Sequence, residues 1–199
     1  MQYIIWILTI KVEVKNVQLQ RTMEVLSAGG MVQLPTELGP ILACDADNEK
    51  AVAKLLKTGQ KQGMGPLACL MAHDAMLEQH LGQVPDLAYD LMDFSTKPTL
   101  IVYDQPLHLA PQLCQGRELA ILVARHKFAR YAVARFKRPL AFFPLPVNTV
   151  ASKKRCEEMG RGPLADVDYV VTLQKENPAA QPYAIIALGT DGSVTVIKE

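Results

Sequence analysis

Eight short runs of β-type composition punctuate this chain, and several are apolar at every position. They are MVQL (31–34), PLACLM (66–71), TLIVY (99–103), LAILVA (119–124), PLAFFPL (139–145), DYVVTL (168–173), YAIIAL (183–188) and SVTVIK (193–198). A strand with one wet face alternates apolar and polar residues, whereas LAILVA or TLIVY must be covered on both faces. Helical patterns fill the intervals, starting after Asn16, near Asn48, at His73, after Val84, near His126 and near Ser152. Asn16, and Asp47 or Asn48 ahead of EKAVAKLLKT, have the side chains that cap a helix start. GQKQGMGP (59–66) breaks the pattern with three glycines and a proline and reads as a loop. Asp191-Gly192 between the last two runs is a two-residue hairpin signal. The order predicts a single α/β domain with a mixed sheet and an antiparallel C-terminal hairpin.

Composition narrows the function classes. A length of 199 residues, 49% of them hydrophobic, suffices for one well-filled core and argues against disorder. The formal charge of +1 gives no global pull toward nucleic acid or acidic partners, so any such preference rests on a local patch. Cys44, Cys69, Cys114 and Cys156 form no CxxC pair, and the four histidines are scattered. This reads as reduced thiols of a cytoplasmic protein, with no metal site. The opening YIIWILTIKVEV (3–14) is too short for a membrane span, which needs about 20 apolar residues, and lacks the flanks of a signal peptide. Residues 1–16 are expected to be an edge strand or N-terminal extension, with the domain proper over 17–199.

The stretch AGGMVQLPTE (28–37) resembles the signature of the YrdC-like family, the threonylcarbamoyl-AMP synthases and their YciO-like relatives: a Gly-Gly pair, a strand, then Pro-Thr-Glu or Pro-Thr-Asp. The similarity continues in order through ACDADNEKAVAKLLKTGQK, TKPTLIV, FKRPL, VDYVV and IIALGTDGSVTVI, and so covers about residues 17–199. The resemblance implies an open, twisted mixed α/β sheet with flanking helices, a fold also described as double-stranded-RNA-binding-like, around a large basic cavity. It implies an activity joining L-threonine, bicarbonate and ATP (with Mg) into threonylcarbamoyl-AMP and pyrophosphate, for tRNA modification. It also implies tRNA, double-stranded RNA and tRNA-modification proteins as partners.

Adenylation needs cations and donors where charge builds on the leaving pyrophosphate. The family supplies them from a Lys-x-Arg loop and a following Lys, a lone Arg, a Ser-Thr-Ser-Ala-Asn segment and a late serine pair. Aligned with these are Gly59, Gln60 and Lys61; Gly65; Leu122; Phe142, Phe143, Pro144, Leu145 and Pro146; and Tyr183 with Ala184. Only Lys61 keeps a charge. Pro144 and Pro146 also lack amide donors, and AFFPLP reads as a plug of bulk in the nucleotide cavity. Thr36, Glu37, Lys61 and His126 are the residues the resemblance places at a substrate or nucleotide pocket. Read locally, Thr36 caps a turn, Glu37 is solvated, Lys61 is a loop lysine and His126 serves a helix start.

In RHKFARYAVARFKR (125–138), Phe128, Ala132 and Phe136 share one helix face, with Lys127, Arg130, Lys137 and Arg138 on the opposite one. SKKR (152–155) adds charge. The basic face is either an RNA-phosphate footprint or an ordinary solvated surface, and no stacking aromatic is read on it. Three functions stay open: a divergent member with weak or no synthase activity that binds nucleotide or RNA, an active synthase with a rebuilt site, and a scaffold.

Overall fold

The computed structural model describes residues 16–62, 64–114, 118–145, 166–173 and 182–199. The expectations for residues 3–14 and for Ser152 and SKKR (152–155) lie outside these. The described elements run α1 (16–27), β1 (Val32–Thr36), β2 (Gly39–Asp45), α2 (Glu49–Gln62), β3 (Ala68–Met71), α3 (Asp74–His80), α4 (Asp86–Phe94), β4 (Thr99–Asp104), β5 (Glu118–Val123), α5 (Lys127–Phe136), β6 (Leu140–Pro144), β7 (Tyr169–Val170), β8 (Ala184–Leu188) and β9 (Val194–Lys198). The strands form one open nine-stranded sheet in the order β7-β1-β2-β6-β3-β5-β4-β8-β9.

The sheet is mixed. β3 and β5 pair in parallel, as do β4 with β8 and β1 with β7, while β2, β6 and β3 run antiparallel in succession. β3 and β6, apolar at every position, occupy the middle of the sheet and are almost wholly buried. The C-terminal hairpin turns at Asp191-Gly192, with Gly192 at φ 83° and the Asp191 carboxylate accepting from Ser193 N at 2.9 Å. Its connection takes in residues 189–193, longer than the two-residue loop expected, because strand pairing stops at Leu188↔Val194.

Three local expectations need correction. The run GPILACD, absent from the eight strand runs read in the sequence, is the seven-residue strand β2, buried throughout. Pro40 is tolerated because it faces Pro35 at the hairpin end and uses its carbonyl, which accepts from Leu145 N at 3.0 Å. DYVVTL supplies only the two-residue strand β7. Residues 59–62 are helical instead of opening a loop, since α2 continues to Gln62.

Gly59 is the reason that helix packs as it does. A Cβ there would lie 2.4 Å from Cε2 of Phe143, so the ring seats directly on the α2 backbone. Asn48 caps α2, its Oδ1 accepting from Lys50 N and Ala51 N at 3.1 Å each, and Asp47 is not the cap. α5 buries Phe128, Ala129, Ala132, Val133 and Phe136 and ends at Lys137, whose left-handed φ of 62° stops the helix.

Candidate functional site

Thr36 and Glu37 form the tip of the β1–β2 hairpin. The fully buried Thr36 hydroxyl donates to Gly39 O at 2.7 Å and accepts from Leu38 N at 3.2 Å, closing the turn. Glu37 is not solvated as its local reading had it. Its two carboxylate oxygens accept from Arg125 N and His126 N, each at 2.9 Å, and so tie the hairpin tip to the β5–α5 junction. His126 caps α5, its ring accepting from Ala129 N. Arg125 carries the chain of contacts onward, its guanidinium donating to Ser95 O at 2.7 Å and to Met92 O. Those carbonyls close the C-terminal end of α4, where a cation is favoured by the helix dipole.

These contacts border a cavity of about 210 Å³ at the ends of β3 and β5. Glu37, Arg125, Arg130, Asp74 and Asp93 are among its lining residues. Ile101 and Ile121 are cross-strand neighbours, and Tyr103 follows on the same face, so these side chains belong to a single surface of the sheet. Tyr103 is only 2% exposed, and its hydroxyl has no hydrogen-bond partner among the described residues. Burial raises its pKa, which keeps the phenol protonated and available as a donor. Among the described residues no group of three or more His, Cys, Asp or Glu side chains is placed to hold a metal ion, and no helix is long and apolar enough to cross a membrane.

The remaining sequence-derived site residues do not converge on this cavity. Lys61 sits exposed in the last turn of α2, because the helix extends over the aligned Lys-x-Arg positions. Phe142 and Phe143 do not plug one space together. Strand alternation sends them to opposite faces, with Phe143 against α2 and Phe142 level with Ala43 and Ala68. Of the described positions aligned with the family's adenylating groups, Leu122 alone borders the cavity, and it is 3% exposed.

The basic face is also redrawn. Lys127 and Arg130 lie exposed on α5, whereas Lys137 and Arg138 follow its end. Arg138 pairs with the buried Asp45 at 2.6 Å and stacks over Phe136 at 4.4 Å, so it is committed to the fold. Tyr131, missed in the sequence, is 60% exposed on the α5 surface between Lys127 and Arg135. An i, i+4, i+8 spacing was the available signal, since those positions neighbour one another along a helix.

Residues 24–199 match the family model for the Sua5, YciO and YrdC proteins, described as "Telomere recombination". The chain belongs to this family. Sua5/YciO/YrdC structures reproduce its architecture. Escherichia coli YciO superposes with a TM-score of 0.71 at 16% identity, covering 93% of this chain and 89% of that one. P. abyssi Sua5 complexed with L-threonine gives 0.68 at 16% identity, covering 94% of this chain and 54% of that one. MTH1692 from Methanobacterium thermoautotrophicum gives 0.65 at 20% identity, with 90% and 85% covered. The chain thus spans about half the length of the Sua5 chain, 54%, and most of YciO, 89%. No curated protein matches it.

Proposed function

We propose that this chain is a Sua5/YciO/YrdC-family member with weak or no threonylcarbamoyl-AMP synthase activity, acting as an RNA-binding or nucleotide-binding regulatory protein in the cytoplasm. One observation carries the reading: apolar side chains at several of the aligned adenylating positions lie in the core. Leu122, Phe142 and Phe143 are 3%, 0% and 5% exposed, and the aligned Lys-x-Arg positions are the end of a helix whose Gly59 is filled by a phenylalanine ring. Losing one preorganised donor costs about 10²–10³ in rate, and several are lost here.

The RNA version draws support from α5. Lys127, Arg130 and Arg135 are exposed and make no ion pair among the described residues. A tRNA or another structured RNA is the partner to try first, followed by tRNA-modification proteins. ATP with Mg and L-threonine, the amino acid bound in P. abyssi Sua5, enter only if synthesis persists. The test is pyrophosphate release from ATP by the pure protein in the presence of L-threonine and bicarbonate. Release at a background rate is expected; turnover that requires both co-substrates overturns the proposal in favour of an active synthase with a rebuilt site.

A further inference from the structure

We propose that α5 and the adjoining cavity form one single-stranded RNA site, with the strand on the helix and one unpaired nucleobase inside the cavity. This rests on the RNA-binding reading above and specifies its ligand.

At about 100° per residue, Tyr131 lies about 40° round α5 from Lys127, and Arg135 a further 40° on. A large aromatic left 60% exposed between two cations is a stacking platform flanked by phosphate contacts. Arg130, about 60° to the other side of Lys127, belongs both to this surface and to the cavity wall. A strand tracking the helix therefore meets the cavity at Arg130 with no gap between the two.

The cavity suits a base better than a charged small molecule. Its volume of about 210 Å³ leaves room for one heterocycle. Leu91 and Met92 from α4 and Ile101 and Ile121 from the sheet supply apolar surface for the two flat faces of a ring. Tyr103 supplies a buried hydroxyl, with no partner among the described residues, for a polar atom on the ring edge. Asp74 and Asp93 also border the cavity and disfavour phosphate there, which keeps the backbone on the α5 side. A base stacked and paired in a duplex cannot enter, so the site selects single strands or loops.

The experiment measures fluorescence anisotropy of the full chain with labelled nine-nucleotide homopolymers of A, U and C and with a duplex, at several salt concentrations. Tyr131→Ala and Tyr103→Phe are measured alongside, with thermal unfolding to confirm their folds. Single strands should bind more tightly than the duplex, with one homopolymer preferred about 5–10-fold. Tyr131→Ala should weaken all three homopolymers alike, about fivefold or more. Tyr103→Phe should erase the preference while leaving the weaker homopolymers within about twofold. In a strand carrying one 2-aminopurine, bound wild-type protein should shield that base from acrylamide. Equal homopolymer affinities with an unshielded 2-aminopurine, or a duplex bound more tightly than single strands, overturns this inference and leaves RNA binding standing. Absence of salt-sensitive binding to any RNA removes both.

Discussion

Replacing Gly59 by alanine sets two opposed effects of known size against each other. In a helix interior, Gly→Ala stabilises by about 1 kcal/mol, because glycine has more backbone freedom to lose. Here the added Cβ would stand 2.4, 2.7 and 2.9 Å from three carbons of the Phe143 ring. That ring is 5% exposed, so it has no free space to move into. Overpacking of this kind costs about 1–3 kcal/mol, and occasionally more. The net expectation for Gly59→Ala is a loss of up to about 2 kcal/mol, read from urea unfolding at constant m-value. In a Phe143→Leu background the obstruction is gone, and the same substitution should gain up to about 1 kcal/mol. The double-mutant cycle should then show a coupling of about 1–3 kcal/mol between the two positions. A single Gly59→Ala variant that is more stable than wild type would refute the seating of Phe143 on α2. With it would fall the argument that Gly59 and Phe143, two of the aligned positions, are packed together in the core.

Two further substitutions probe the hairpin tip and the basic segment. Glu37→Ala removes the acceptor for two backbone amides. With charge-assisted bonds at about 1.5–3 kcal/mol each, discounted for partial exposure, it should cost about 2 kcal/mol. Glu37→Gln keeps one acceptor and should cost about half as much; a loss below about 0.5 kcal/mol for the alanine variant in urea unfolding refutes the brace. Arg138→Gln leaves the buried Asp45 carboxylate unpaired and should cost about 1–2 kcal/mol at pH 7.5, less than a fully buried pair because Arg138 is 42% exposed. Burial already raises the Asp45 pKa while the Asp47 amide and Arg138 lower it, so losing Arg138 raises it further. The deficit should therefore shrink as pH falls through that raised value and Asp45 takes up a proton; a deficit equal at about pH 4.5 and pH 7.5 refutes the pairing.

The central strands were legible in the sequence because runs such as LAILVA and TLIVY carry their own message of double-sided burial. β2 was not, because Gly39 and Pro40 are local strand breakers and only pairing across to Pro35 and to Leu145 accommodates them. Gly59 shows the same limit from the other direction. Three nearby glycines read as a loop, but one of them lies within the helix because a side chain distant in sequence needs its space. At the site, Thr36, Glu37 and His126 were found by motif; the turn closed by Thr36 and the helix start served by His126 were legible locally, while the role of Glu37 was set by contacts about ninety residues apart that periodicity cannot report. Tyr103 carried no signal at all: in TLIVY it is one more apolar strand residue, and its unsatisfied hydroxyl exists only once β4 is buried. Arg138 was misplaced because a helical wheel continues past the residue where the real helix stops, and Lys137 turns the chain into the left-handed region first.

The survival of Pro-Thr-Glu beside so many altered positions follows from what each residue holds. Thr36 supplies buried hydrogen bonds that close the hairpin, and Glu37 satisfies two amides at the start of α5 and fixes the lip of the cavity. Removing either costs stability whether or not the protein performs any chemistry, so the pair reports the fold and is silent about catalysis. The aligned adenylating positions differ in kind. A lysine, arginine or serine reaching into a nucleotide site is satisfied by its ligand. Without that ligand it is a polar group beside a hydrophobic sheet, where an apolar side chain is the more stable occupant. On the function proposed above, Leu122 at the cavity border and the fully buried Phe142 are such occupants. On the same proposal, Leu122→Arg alone would not rebuild an adenylating site, because the aligned Phe142 and Pro144 supply no side-chain donors.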